Sequence, residues 1–413
     1  MGKKLLYGLL IISLLAMPML SACNSSSTTT TSTSTSTTTT PTKTLKIGAV
    51  VWMGWPLGLD MKRGVEVMLD MENAAGGITI GGEKYKIEMI SYDSNNDQTT
   101  TQSFINKLIY EDKVNFIITD SMYIGSVVQE TEKNKVLCVC GTPVPAIFDA
   151  SYQYSFQAGF MTYATPEVAG WLAQNLDMKT VDGAFPDDQG GHAYGAGVIA
   201  TLESYGITVN PIFYPSTSTD LSAVGTQVKT DNPDGFIAAG SSSSDALVYQ
   251  AVVQAGYKGQ LFSTTTVTLE TLKTTVPIAS LEGFVGGAWP VEFDPAETTM
   301  AKEFKAAYIA KYGSWDGPEI QLTGAWSALK TALEQAGTTD TTAVAAVLGN
   351  GLKYEGPTGK AQMIPRNDLG ITKTVDSVSE FCIKKVVNGQ PTLLHTVTID
   401  EGISYLPAGV VSP

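Results

Sequence analysis

From residue 45 to about residue 290 the hydrophobic pattern alternates between two periods. Short apolar runs at 45–51, 85–92, 115–119 and 136–140 are separated by stretches whose apolar positions recur at helical spacing, at 59–75, 98–111 and from 124 onward. Runs of the first kind predict strands and stretches of the second kind predict amphipathic helices. After 154–157 the alternation begins again. It predicts helices at 166–175, 194–205, 220–230 and 245–255, and strands at 180–185, 208–214, 235–239 and 260–263. Strict alternation implies parallel sheets covered on both faces, hence an α/β fold. The repetition implies two such units in tandem. Beyond 283–289 the pattern changes to three helical segments, 295–311, 319–336 and 341–348. It ends in a predicted β-hairpin over 381–399, turning at Asn388-Gly389.

The first residues carry a different message. Lys3 and Lys4 precede an apolar stretch at 5–19, which is shorter than the ~20 residues a spanning helix needs. This reads as an export signal. It ends in Leu20-Ser21-Ala22-Cys23, which resembles a bacterial lipobox, and Cys23 is the expected lipid attachment site. Residues 24–42 are almost wholly Ser and Thr. With nothing to bury, such a run cannot offset its ordering entropy and acts as a tether. The expected divisions are therefore a signal at 1–23, a tether at 24–43 and a body beyond it.

Composition narrows the function. The net charge of −14 argues against nucleic acid and against adhesion to anionic lipid. No further apolar stretch is long enough to span a membrane. Cys138 and Cys140 share a face of one apolar strand and read as core thiols. Cys382 and two histidines, His192 and His395, complete a set without zinc spacing. No metal or cofactor is expected. The Gly195–Ala200 segment matches a dinucleotide loop only loosely. Ser241–Ser244 lacks a nucleophile elbow. Asp93–Asp97 and Asp187-Asp188 lack the spacing of a calcium loop. The chain is not expected to be an enzyme.

Several local features then fall in a particular order. They are Lys46-Ile47-Gly48 on the first strand, Gly64 in the first helix, and Asn73 followed by Gly76-Gly77-Ile78. Tyr92-Asp93 with Asn96-Asp97, Ser121, Thr142-Pro143 and Tyr194-Gly195 come next. In this order the chain resembles the type I periplasmic binding proteins, specifically the branched-chain amino acid (leucine/isoleucine/valine)-binding receptors of ABC transporters, over 45–399. The resemblance implies two Rossmann-like lobes joined by a three-segment hinge, with crossings near 154–160, 284–291 and 365–374. One lobe would comprise 44–157 and 289–368, the other 158–288 and 369–413. It implies an extracytoplasmic, lipid-anchored monomer that closes on a small molecule and delivers it to membrane permease and ATPase subunits. A ligand-sensing module of the same fold, feeding a membrane signalling partner, is the alternative.

The family holds a ligand carboxylate with hydroxyls and with backbone N–H groups at helix starts, where unpaired donors and a partial positive charge favour anions. The matching loops are 120–125 and 141–145, with Ser121, Tyr123 and Thr142 as candidates. Ser121 could equally cap the helix that follows it. Tyr194 matches a tyrosine that closes over the ligand, and His192 lies two residues before it. Two family positions, a tyrosine and an acidic ammonium partner, fall on Ser241 and Thr265. Without the carboxylate, a free α-amino group loses a charge-assisted bond worth roughly 1.5–3 kcal/mol. Trp52 and Trp55 either pack into the lobe interior or, with Tyr123, Tyr194 and Trp289, make the mouth aromatic and suit a flat or apolar ligand body. These loops contain no Lys or Arg. The expected ligand is a small amino-acid-like or carboxylate-bearing solute, with an aromatic one among the candidates.

Overall fold

The structure is a computed structural model describing residues 43–411 except 55, 122, 143, 160–163, 240–241, 265–268 and 294–297. The expectations for Cys23, Trp55, Ser241 and Thr265, and for the signal and most of the tether, lie outside the described residues.

The chain opens with β1 (Lys43–Val51), α1 (Pro56–Ala74), β2 (Ile78–Ile80), β3 (Glu83–Asp93), α2 (Gln98–Tyr110), β4 (Phe116–Thr119), α3 (Val128–Lys133), β5 (Leu137–Cys140) and β6 (Ser155–Gln157). These strands form one sheet in the order β2-β3-β1-β4-β5-β6, parallel except for the short edge strand β2. All four residues of β4 and of β5 are buried, as continuous apolar runs covered on both faces must be.

A second series follows: α4 (Ala164–Asn175), β7 (Thr180–Pro186), α5 (Gln189–Ser204), β8 (Thr208–Tyr214), α6 (Ser222–Asp231), β9 (Gly235–Ala238), α7 (Ser242–Gln254), β10 (Gln260–Ser263), α8 (Leu269–Leu272) and β11 (Val285–Ala288). Then come α9 (Thr299–Tyr312), α10 (Leu322–Ala336), α11 (Thr341–Leu348), β12 (Lys353–Gly356), β13 (Gly359–Arg366), β14 (Ile371–Ser379), β15 (Phe381–Val387), β16 (Gln390–Val397) and α12 (Ile399–Tyr405). The second sheet runs β16-β15-β11-β10-β9-β7-β8, with β15 and β16 antiparallel. Strands β12, β13 and β14 make a separate three-stranded antiparallel sheet. The architecture is mixed α/β with parallel sheets in two lobes, in agreement with the sequence.

The hairpin turn falls where the sequence placed it. Asn388 and Gly389 have φ of 53° and 70°, the left-handed pair a two-residue turn requires, and the Glu282 carboxylate accepts from both of their N–H groups at 3.0 and 3.2 Å. Some elements differ from expectation. Helix α5 begins five residues early, because the Asp188 carboxylate accepts from Gly191 N at 2.8 Å and caps it. Helix α9 begins at Thr299, not 295, since the Thr298 hydroxyl caps it. The three-stranded sheet and α12 were not anticipated. Trp289 is a core residue, not part of a mouth: it is 1 % exposed, with its ring against Phe381 at 5.0 Å.

Candidate functional site

In an open parallel sheet, loops leave in opposite directions where the strand order reverses, and a crevice opens at the carboxyl ends of the two strands concerned. In the first sheet that point lies between β1 and β4, since β3 sits on the other side of β1. In the second it lies between β7 and β9, since β8 sits on the other side of β7. The described candidates follow these strands or their neighbours: Trp52 after β1, Ser121 and Tyr123 after β4, Thr142 after β5, and His192 and Tyr194 after β7.

On the first side the loops are tied to one another. Trp52 N donates to Asp120 Oδ1 at 3.2 Å, across the reversal point. Below it, the Thr119 hydroxyl donates to Val50 O at 2.7 Å. The Thr142 hydroxyl donates to Asp120 O at 2.9 Å and so joins the β5 loop to the β4 loop. Met53 N donates to the Asp93 carboxylate at 3.0 Å. Ser121 is buried; its hydroxyl accepts from Tyr123 N at 3.3 Å and bonds the Thr101 hydroxyl at 3.1 Å. It therefore serves its own turn and caps no helix, since α3 begins without a side-chain cap. Trp52, Tyr123 and Thr142 are half-buried.

Sequence reasoning passed over Asp120. Burial pushes its carboxyl up to about 7, against the Trp52 N–H that favours the charged form, and the nearby Asp93 charge adds to the rise. The loops contain no basic side chain to offset it. An acidic residue directly after a fully buried strand was the available signal.

On the second side, Tyr194 lies inside α5 and not at its start, as the Asp188 cap requires. Its hydroxyl is 3.4 Å from the hydroxyl of Thr264, a buried residue at the end of β10. His192 is exposed; its ring stacks on Phe213 at 4.1 Å and its Nε2 lies 2.8 Å from Asp187 Oδ1. Tyr214 donates to the Ser244 hydroxyl at 3.4 Å, linking the end of β8 to α7.

Cys138 and Cys140 belong to β5 and share one core cluster. Burial raises both thiols, Cys140 to about 11, which leaves them inert. Among the described residues no cluster of His, Cys, Asp or Glu could hold a metal ion.

This arrangement is the two-lobed α/β fold of the type I periplasmic binding proteins. The chain belongs to the periplasmic binding protein family, whose model matches residues 44–375. The fold is the type I form, and the family is extracytoplasmic and solute-binding. Among solved structures, the chain is similar to a leucine-binding protein, LivK, from Thermotoga maritima. That match has 20 % identity and a TM-score of 0.70, over 86 % of this chain and 99 % of that one. It is similar to LivJ from Streptococcus pneumoniae in complex with isoleucine, at 18 % identity and a TM-score of 0.67, over 86 % and 99 %. It is also similar to a solute-binding protein of an ABC transporter from Rhodopseudomonas palustris in complex with 3,4-dihydroxybenzoic acid, at 21 % identity and a TM-score of 0.69, over 86 % and 98 %. Among the described residues no helix is long and apolar enough to cross a membrane.

Proposed function

We propose that this protein is the substrate-binding lipoprotein of an ABC importer, anchored through Cys23 and held off the membrane by residues 24–43. It binds a small carboxylate-bearing solute between a lobe of 44–157 with 289–368 and a lobe of 158–288 with 369–413. It hands the solute to permease and ATPase subunits and carries out no chemistry. The observation that carries the reading is the coincidence of the described candidates with the strand ends where both sheets reverse order. The loops offer hydroxyls, backbone amides and aromatic rings without any Lys or Arg. Such a site suits one anionic end held by amide donors and disfavours a phosphorylated ligand. The structural neighbours hold amino acids and an aromatic acid.

A ligand that binds only the folded state raises its stability by about 2.7 kcal/mol at a hundredfold excess over Kd. Purified full-length protein in detergent should therefore melt higher with at least one member of a panel of L-leucine, L-isoleucine, benzoate and 3,4-dihydroxybenzoate. If the whole panel and a wider set of amino and organic acids leave the transition unmoved, the reading is wrong.

A further inference from the structure

A side-chain hydroxyl holds an anion only through a proton it has to spare, and on the first side of the crevice those protons are engaged. The Thr142 hydroxyl donates to Asp120 O at 2.9 Å and the Thr119 hydroxyl to Val50 O at 2.7 Å. The buried Ser121 hydroxyl is shared between Thr101 and Tyr123 N. What stands at the reversal point instead is a carboxylate. Asp120 directly follows β4 and is 6 % exposed. Its Oδ1 accepts from Trp52 N at 3.2 Å. Its Oδ2 reaches the first turn of α1, 3.0 Å from where a Cβ on Gly58 would stand.

Among the described residues no cation pairs with this carboxylate. The titratable groups that face it are the Asp93 carboxylate after β3 and the Cys140 thiol of β5. On α1, Lys62 and Arg63 are already paired with Glu66 and Asp60. The segments 52–58, 93–97, 120–126 and 141–145 contain no Lys or Arg. A buried carboxylate without a counter-ion is costly in its charged form, and burial pushes Asp120 up to about 7. A cation arriving with the ligand would supply the missing partner. We propose that the first lobe receives the cationic end of the ligand: Asp120 binds a primary ammonium group, and the carboxylate of a zwitterionic solute lies on the second side, where the Tyr194 and Thr264 hydroxyls meet. This rests on the receptor reading and selects an amine-bearing solute over a plain organic acid. It also reverses the polarity expected of the loops at 120–125 and 141–145, which the resemblance assigned to the carboxylate.

Three probes with one carbon skeleton separate the two charges. L-Leucine carries both, 3-methylbutylamine lacks the carboxylate, and 4-methylpentanoate lacks the amine. Each is titrated calorimetrically into the full-length protein in detergent at pH 7, in two buffers of different ionisation enthalpy. The amine-bearing probes should each bind roughly tenfold or more tightly than 4-methylpentanoate. Their binding should release protons, because an ammonium group favours the ionised form of Asp120. Asp120→Asn keeps an acceptor for Trp52 N and loses the charge. It should weaken L-leucine by about tenfold, abolish the proton release, and leave 4-methylpentanoate at its wild-type affinity or tighter. Equal wild-type affinities for L-leucine and 4-methylpentanoate, proton uptake on binding L-leucine, or an unchanged L-leucine affinity in Asp120→Asn overturns the proposal. The wild-type comparisons decide it even where the variant does not fold. Binding of none of the three probes overturns it too, and a melting shift with benzoate or 3,4-dihydroxybenzoate then leaves the receptor reading standing.

Discussion

Replacing Glu167 by glutamine should abolish a fall in stability that the wild type shows as pH rises, so that the variant gains on the wild type between pH 4.5 and pH 7. Glu167 lies in the first turn of α4 with no exposed surface, and neither carboxyl oxygen has a hydrogen-bond partner. Gly402 of α12 packs against it, 2.9 Å from Oε1 to where a Cβ would stand. The nearest charge is Asp376 on β14, of the same sign. The cation of this cluster is already engaged, since Arg366 forms a two-pronged pair with Asp368 at 2.9 and 2.8 Å and lies 3.7 Å from Asp376. On α12, Glu401 is paired with His395 at 2.9 Å. Burial, and then Asp376, push the Glu167 carboxyl well above its ordinary range. The folded state therefore binds a proton that the unfolded chain releases above about pH 4.3. Stability falls with pH wherever the native state holds more protons, so the cost is absent near pH 4 and grows until the folded group titrates. Asp120 and Glu72, each raised to about 7 by burial, add a similar slope to both proteins and cancel in the comparison. Urea midpoints at pH 4.5, 5.5 and 7 check the prediction. Equal pH slopes in the two proteins would mean that Glu167 is ionised in the fold.

The same cluster shows where sequence reading stops. The alternating α/β body was legible because its strands and helices keep separate apolar periods: β8 and α11 fall at the residues read from the pattern alone, 208–214 and 341–348. The three-stranded sheet was not legible. Its strand β14 buries Thr374, Asp376, Ser377 and Ser379, and β13 contains Pro365 at a register shift. Polar residues and a proline mark a loop in sequence, and only tertiary contacts turn them inward. Helix α5 was misplaced because Tyr194-Gly195 reads as its opening, whereas Gly191 already stands in its first turn, where a Cβ would lie 2.1 Å from Pro186 O. The loops of the candidate site were named from the family resemblance and the rule that ligand crevices lie at the carboxyl ends of strands. The part played by Asp120 was not, since it acts on a backbone N–H of a neighbouring loop that no sequence spacing specifies.

Gly159→Ala should be far more damaging than Gly206→Ala, although both residues have positive φ, +107° and +80°. Gly206 has no atom within 4 Å of where a Cβ would stand, so alanine there adds only the cost of a left-handed backbone, about 1 kcal/mol. Gly159 follows β6, just before residues 160–163 lead into the second series. A Cβ on it would lie 2.1 Å from Gln321 O and 3.0 Å from Ala325 N, both backbone atoms of α10 and its cap. Gly324 faces it, with its own Cβ position 2.4 Å from Gly159 Cα. No rotamer change relieves contacts between two backbones, so either the helix or the strand must move, at a cost of about 4 kcal/mol or more. Denaturant midpoints at constant m-value give the comparison, and equal losses in the two variants would show that the close approach is absent. The displacement also has a direction. The first turn of α10 lies against Gly141, where Leu322 Cδ1 is 2.7 Å from the Cβ position, and Gly141 precedes Thr142. Pushing α10 away from β6 therefore disturbs the Thr142–Asp120 link. Gly159→Ala should weaken any probe that the wild type binds, under conditions where the variant remains folded, while Gly206→Ala leaves its affinity unchanged.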